Sequence, residues 1–422
     1  MEIYFQNDKP ALLGGQKVMT ERFPSWPIYD GTEEQGLFDV LHSGRWGRLD
    51  GKFTALFEDE YAKLMGMKHA LATSGGTTAL ISMLGALDIG PGDEVLMPAY
   101  TFVATYNVVV LNYALPILID TDMESFQIDP RKMEKAITKE TKALMPVHMG
   151  GVPADLDRII AIAQKHRLPV IEDCCQAPGS EWKGKKVGSY GVGGAFSFQS
   201  SKNLNCAEGG AVTTNDSNFD RACRAFHHQG QTRNTASFAT GEGVRGTNAR
   251  MTEWQSRILL AQMTRFSEQD RQRTENAYYL NSLFMDIPGI YPAKLYPGTT
   301  NVSYHLYMFR YDKTHFKGMS RERFIQALRA EGISTGTGYG RLNSDPYVLG
   351  LTQNKYYLKI YGEKMMKQWV ERNRCPINDK LTSEQSLWLS QSVLLGSRQD
   401  MDKIAEAILK IKKYAKELID SE

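Results

Sequence analysis

From about Glu34 to about Asp220 the chain alternates short apolar runs with longer amphipathic stretches, the pattern of a doubly wound α/β domain. Strands are predicted at EVLMP (94–98), LPILI (115–119), ALMPV (143–147), LPVIED (168–173), GAFSF (194–198) and GAVTT (210–214). Between them, TTALISMLGAL sets Leu80, Met83, Leu84 and Leu87 on one helical face, and DLDRIIAIAQKH does the same with Leu156, Ile159, Ile160 and Ala163. After about residue 275 the texture changes, because Pro288, Pro292 and Pro297 break the pattern and Gly289 and Gly298 add turns. The tail DMDKIAEAILKIKKYAKEL repeats Met401, Ile404, Ile408, Ile411 and Ala415 at helical spacing. The expected organisation is an N-terminal arm (1–25), a large α/β domain (26–275) and a smaller α+β domain (276–422) closed by a long helix.

Composition narrows the classes of function. A chain of 422 residues has room for two or three domains of roughly 150 residues each. Its 42% hydrophobic and 23% charged content is ordinary for a globular protein and unlike a disordered one. Lys plus Arg (50) nearly balances Asp plus Glu (48), and the net charge of +2 offers no basic excess for a nucleic acid backbone. No apolar stretch approaches the roughly 18 to 20 residues of a spanning helix, and MEIYFQNDKPALLGG lacks the regions of an export signal. The five cysteines are odd in number and show no zinc or redox spacing; a reducing cytoplasm and no metal are expected.

Three segments carry candidate chemistry. In ATSGGTTAL (72–80), glycines lead into a helix and leave the backbone N–H groups of Gly76, Thr77 and Thr78 free for an anion such as a phosphate. On this segment alone, glycines that merely turn the chain are an equal explanation. In LPVIEDCCQAPGS (168–180), Asp173 ends an apolar strand, where ligands of open α/β sheets bind, and an acid there can pair with a cationic ring nitrogen. A capping or salt-bridged Asp is the plainer alternative. In GGAFSFQSSKNLNCAEGGA (193–211), Lys202 follows a short apolar strand among small and polar residues. A single lysine is usually a solvated surface charge. Phosphate cradle, acid and enclosed lysine together, however, are what pyridoxal phosphate requires.

The ordered set GGTTAL, GDEVLMPAYTFVAT, VHMGGVPADLD, VIEDCCQAPGS, FSFQSSKNLNCAEGGA and GTNARMTEWQ resembles the sugar aminotransferases of the DegT/DnrJ/EryC/StrS family, a branch of fold type I pyridoxal phosphate enzymes. The resemblance runs from about Pro10 to the C-terminus. It implies a three-layer α/β/α large domain and a homodimer with a shared active site. It also implies that Lys202 holds pyridoxal 5'-phosphate as a Schiff base, that Asp173 bonds the pyridine nitrogen, and that Gln176 lies near the 3-hydroxyl. By the same resemblance Phe102 stacks on the cofactor, Gly76, Thr77, Thr78 and Ser197 hold its phosphate, and Asn248 reaches that phosphate from the neighbouring subunit.

The implied reaction is ping-pong transamination, in which Lys202 serves as acid and base at the donor's α-carbon and Asp173 keeps the ring nitrogen protonated. Gln199 stands where many nucleotide-sugar aminotransferases have histidine, and Pro178 where they have another. Gln199, with FPSWPIYD, RWGRLDG and SLWLSQSVLLG, resembles the L-glutamine:scyllo-inosose aminotransferase and 3-amino-5-hydroxybenzoate synthase branches. The expected substrates are L-glutamine or L-glutamate and a keto-cyclitol or keto-sugar, with a nucleotide-linked sugar as alternative. A dehydratase branch that replaces the lysine by histidine is disfavoured by Lys202. A cofactor-sensing regulatory module is disfavoured by the lack of a winged-helix segment and a basic patch. Arg245 and Arg250 could hold a donor carboxylate, and His227, His228, His148, Tyr304, His305 and Tyr307 could line the pocket; surface charge, loop polarity or strand packing explains each equally simply.

Overall fold

The computed structural model describes residues 9–231 and 245–421. Seven strands build the central sheet: β1 (His69–Thr73), β2 (Glu94–Pro98), β3 (Leu115–Ile119), β4 (Thr141–Leu144), β5 (Ile171–Asp173), β6 (Gly193–Ser197) and β7 (Gly210–Thr214). β2 lies between β3 and β4 in parallel register, with Leu96 facing Ile117 and Leu144, and β5 pairs with β6 in parallel. β7 runs antiparallel between β6 and β1. Parallel bridges from Leu144 to Val170 and from Val147 to Asp173 join the two halves, giving the order β3-β2-β4-β5-β6-β7-β1.

All six expected strands form, but β4 and β5 are shorter than ALMPV and LPVIED because a proline interrupts each. Pro146 and Pro169 cannot donate to the ladder, so they serve it through their carbonyls. Asp173 N–H donates to Pro146 O (2.9 Å) and Leu144 N–H to Pro169 O (3.0 Å). The unforeseen strand is β1, an alanine-rich HALAT without the β-branched run that signals a strand.

Alternate side chains send the sheet's two faces into different cores, which makes three layers. On one face Leu80, Met83 and Leu84 of helix Gly76–Ala86 pack with Leu96, Ile117 and Ile171. On the other, Phe57 and Tyr61 of helix Phe53–Met65 pack with Phe196, Phe198 and Leu259. β2, β3, β6 and β7 are buried at every residue, as expected for strands covered on both sides.

A second sheet, β8 (Ile290–Pro292), β9 (Leu306–Tyr311) and β10 (Ser386–Ser390), is antiparallel in the order β8-β9-β10. Its core includes Met401, Ile404, Ile408 and Ile411 of helix Arg398–Lys413, the face that the tail's spacing predicts. The helix Glu253–Met285 runs unbroken through position 275, placing Leu259 and Phe266 in one core and Ala277, Leu280 and Phe284 in another. Helix Lys355–Arg372 packs on the large sheet's core: Trp369 is buried there, and its Nε1 donates to Pro116 O (2.6 Å). Residues 11–19 dock on the C-terminal core, where Glu331 accepts from the N–H groups of Ala11 (2.8 Å) and Val18 (2.9 Å). No helix among the described residues is long and apolar enough to cross a membrane.

Trp369→Ala removes a fully buried indole and its hydrogen bond, and should cost about 3–5 kcal/mol of stability. Urea titration of the two proteins measures it; a loss under about 1 kcal/mol would mean that helix Lys355–Arg372 contributes little to the large sheet.

Candidate active site

The carboxyl ends of β5 and β6 open onto a cavity of about 880 Å³ lined by Asp173, Gln176, Ser197, Lys202, Phe102 and Thr77, among others. Helix Gly76–Ala86 points its N-terminus into it. No side chain caps this helix, and its first N–H groups have no intrahelical partner. Gly76 lets the helix start approach β6, since a Cβ there would lie 2.7 Å from Ser197 Cβ and 2.8 Å from Cys175 Sγ. Gly76 and Thr77 line the cavity, whereas the Thr78 hydroxyl turns back onto Gly75 O (2.8 Å). An uncapped, close-packed helix N-terminus of this kind is a cradle for an anion.

Asp173 is buried and fully engaged on its protein side. Its Oδ2 accepts from Thr105 Oγ1 (2.9 Å) and its Oδ1 from the Cys175 N–H (3.1 Å). Because the single Thr105 hydroxyl proton goes to Asp173, Thr101 Oγ1, 2.9 Å away, must donate to Thr105. Gln176 is oriented from both ends: Oε1 accepts from the Gly150 N–H (2.9 Å) and Nε2 donates to the Tyr339 hydroxyl (2.9 Å). Phe102, 54% exposed, presents its ring at the mouth of the cavity.

Lys202 sits in a loop braced by Gln199. The Gln199 Oε1 accepts from Ser201 N–H (2.9 Å) and Oγ (2.7 Å), its Nε2 donates to Ser200 Oγ (2.8 Å), and its carbonyl accepts from Lys202 N–H (2.8 Å). Burial pulls the Lys202 ammonium below its usual pKa, with Cys175 and Asp173 acting the other way. Its Nζ lies 3.4 Å from His305 Nε2. Burial drives the His305 imidazole well below its ordinary value, helped by the charges of Lys202 and Arg273, so His305 is neutral beside the amine.

The other sequence candidates lie elsewhere. Asn248 is exposed and bridges His228, outside the cavity of its own chain. Arg245 donates to Ile89 O (2.8 Å), and Arg250 Nη1 donates to His228 Nδ1 (2.7 Å). His148 is wholly buried: its Nδ1 accepts from Ala154 N–H (3.1 Å), so its Nε2 donates to Glu172 (3.1 Å). His148, Glu172 and Cys174 form a potential metal-ligand group, yet both Glu172 oxygens already accept backbone N–H bonds from Gly188, Tyr190 and Gly191. Tyr304 and Tyr307 point into the C-terminal core while His305, between them, lines the cavity. Sequence reasoning missed Trp26, Tyr339, Trp388 and Gln391, which reach the cavity from just after the arm and from the C-terminal region, and Thr105, which holds Asp173.

The sheet order, the lysine in the loop after β6 and the acid ending β5 define a fold type I α/β enzyme. The chain belongs to the DegT/DnrJ/EryC1/StrS aminotransferase family, which matches residues 27–391. It is 33% identical over 423 residues to an L-glutamine:2-deoxy-scyllo-inosose aminotransferase of Streptoalloteichus tenebrarius, covering 97% of this chain and 98% of that protein. It is 31% identical over 391 residues to a 3-amino-5-hydroxybenzoate synthase of Amycolatopsis mediterranei, covering 92% and 96%. The crystal structure of a 3-amino-5-hydroxybenzoic acid synthase superposes with a TM-score of 0.81 at 29% identity, covering 95% of this chain and 99% of that one.

His227, buried outside this cavity, supplies a test of the protein's electrostatics. Its Nδ1 donates to Arg224 O (2.5 Å), its Nε2 is buried without a partner among the described residues, and burial together with Arg48, Arg224 and His228 lowers its pKa to about 3. Between pH 6.5 and about 3 the unfolded chain therefore binds the extra proton, so stability should fall on acidification by up to about 1.4 kcal/mol per pH unit. His227→Asn should flatten that slope in urea midpoints taken across the window; an unchanged slope would show that His227 protonates freely in the folded state.

Proposed function

We propose that this aminotransferase uses pyridoxal 5'-phosphate to move an amino group from L-glutamine or L-glutamate to a keto-cyclitol or keto-sugar such as scyllo-inosose. The observation that carries this is the meeting of Lys202, Asp173 and an uncapped helix N-terminus in one cavity. These groups suit the cofactor: Gly76, Thr77 and Thr78 N–H groups and Ser197 for its phosphate, Asp173 for its ring nitrogen, Gln176 for its 3-hydroxyl, and Phe102 for one ring face. Bound there, the cofactor supplies a ring that takes up the electron pair released when the donor's α-proton leaves.

The chain's own residues do the rest. Burial favours the neutral form of Lys202, the form that can act as nucleophile and then accept and return a proton at the substrate carbon. Asp173, held by Thr105 and the Cys175 N–H, is fixed to face its partner without reorganising. The acceptor class is supported by the relatives' activities and by Gln199; a 3-amino-5-hydroxybenzoate synthase-like or nucleotide-sugar activity is the second reading, favoured by the likeness to the synthase. A homodimer is part of the proposal, with exposed Asn248 serving the neighbouring subunit's phosphate site.

A visible absorbance spectrum of the purified protein tests cofactor and donor together. A band that bleaches with L-glutamine or L-glutamate and returns with scyllo-inosose, but not with nucleotide-linked keto-sugars, is the expected result; the reverse pattern overturns the acceptor class. Lys202→Ala should lose the band and all turnover, and Asp173→Asn should keep the cofactor while turnover falls at least about 100-fold. Gly76→Ala should weaken cofactor binding about tenfold or more, because the added methyl meets Ser197 and Cys175. Normal turnover in the lysine variant would refute the assignment.

A further inference from the structure

Arg273, on helix Glu253–Met285, is an unusual cation. Its side chain is wholly buried, Nη1 and Nη2 have no hydrogen-bond partner among the described residues, and the acid whose charge reaches it, Asp270 one turn earlier on the same helix, lies beyond ion-pair distance. Its guanidinium stacks over the Trp26 indole (5.1 Å to the ring centre), and its Nε donates to Gln391 Oε1 (2.8 Å). Burying an arginine at this cost without an ion pair is a poor stabilising device. Its partners in these two contacts, Trp26 and Gln391, both line the cavity that holds Lys202.

The contact decides which way round Gln391 sits. An arginine carries donors only, so it accepts nothing from an amide NH₂, and the Gln391 oxygen must be the end that faces it. The opposite end, Nε2 with two N–H donors, makes no hydrogen bond with any described residue and remains for the cavity. The same cavity is lined by Trp26, Tyr339 and Trp388, the last two packed edge to face at 4.9 Å, and by Ser390 and Ser392, the neighbours of Gln391 in sequence. Aromatic faces against C–H surfaces with a fixed amide donor between them suit a polyhydroxylated ring.

We propose that Gln391 donates a hydrogen bond to an oxygen of the ring ketone, a hydroxyl or the carbonyl, and thereby selects polyhydroxylated acceptors, and that Arg273 is the positioning residue that locks its amide. It rests on the functional reading above and deepens it by naming the group that recognises the acceptor. Gln391 touches substrate in this scheme, whereas Arg273 acts only through Gln391.

The two half-reactions separate this role from a structural one. Stopped-flow absorbance gives the rate of bleaching by L-glutamine and the rate of recovery with the ketone that wild type accepts. Gln391→Glu keeps an oxygen against Arg273 but removes the donor, and Gln391→Met removes the donor without adding charge. In both, the ratio of recovery to bleaching kcat/KM should fall about tenfold or more, the loss of one buried hydrogen bond. Arg273→Met should lower the ratio in the same direction, and adding Gln391→Met to it should cost little more, because the two residues act as one unit. Equal losses in both half-reactions, or a ratio within about twofold of wild type in both Gln391 variants, would overturn the proposal. The wild-type ketone panel reports separately on the acceptor class, so the two failures are distinguishable.

Discussion

The site depends on one buried carboxylate held in place at the end of a short strand. Asp173 has its backbone N–H on Pro146 O, its carbonyl on the His148 N–H (3.0 Å), and its carboxylate on Thr105 and the Cys175 N–H. Buried polar groups are stable only when hydrogen-bonded, and these bonds come from neutral donors that fix the carboxylate's position and orientation. Its place at the cavity wall is thereby set before anything occupies the cavity. The same seam between β4 and β5 also positions His148 and Glu172 behind it, a buried pair that ties the loop after β5 to the sheet.

Around that anion the cavity is layered by chemistry. Its floor is backbone and small side chains at Gly76, Thr77 and Ser197, where close approach matters more than side-chain function. One side carries Lys202 and neutral His305, whose burial keeps both from competing for charge. The outer wall is aromatic and amide, supplied from just after the N-terminal arm and from the C-terminal region. The groups proposed for the cofactor thus lie at the strand ends of the large sheet, and those proposed for the acceptor on segments that join them only through tertiary packing.

Much of the site was legible because its residues lie beside local signals. Asp173 follows an apolar run, Lys202 follows another, and Gly76 opens an amphipathic helix; each is placed by its own element. Glycine spacing announced the helix start, although Thr78 spends its hydroxyl on Gly75 and only Gly76 and Thr77 of the three line the cavity. The candidates at 304–307 divided in a way that strand alternation does not foresee: Tyr304 and His305 lie in the segment before β9, and Tyr304 joins Tyr307 in the C-terminal core while His305 lines the cavity. β1 escaped notice because small side chains suffice where a strand is buried between a helix and its neighbour. The change of texture put the boundary near 275, and there the helix Glu253–Met285 runs on unbroken while its buried residues pass from one core to the other.

The sequence by itself determined the alternating elements, the two-faced sheet, and the positions of the lysine, acid and helix start proposed to carry the chemistry, because hydrophobic period and turn residues act within a few positions of one another. Only the tertiary structure decided that Trp26, Tyr339, Trp388 and Gln391 share a wall with Lys202, that Thr105 orients Asp173, and that Arg273 is buried against Trp26 and Gln391. Those contacts join residues from about 70 to more than 300 positions apart. They exist because burial of separate apolar faces brings the segments together, and no local periodicity records which polar groups then meet.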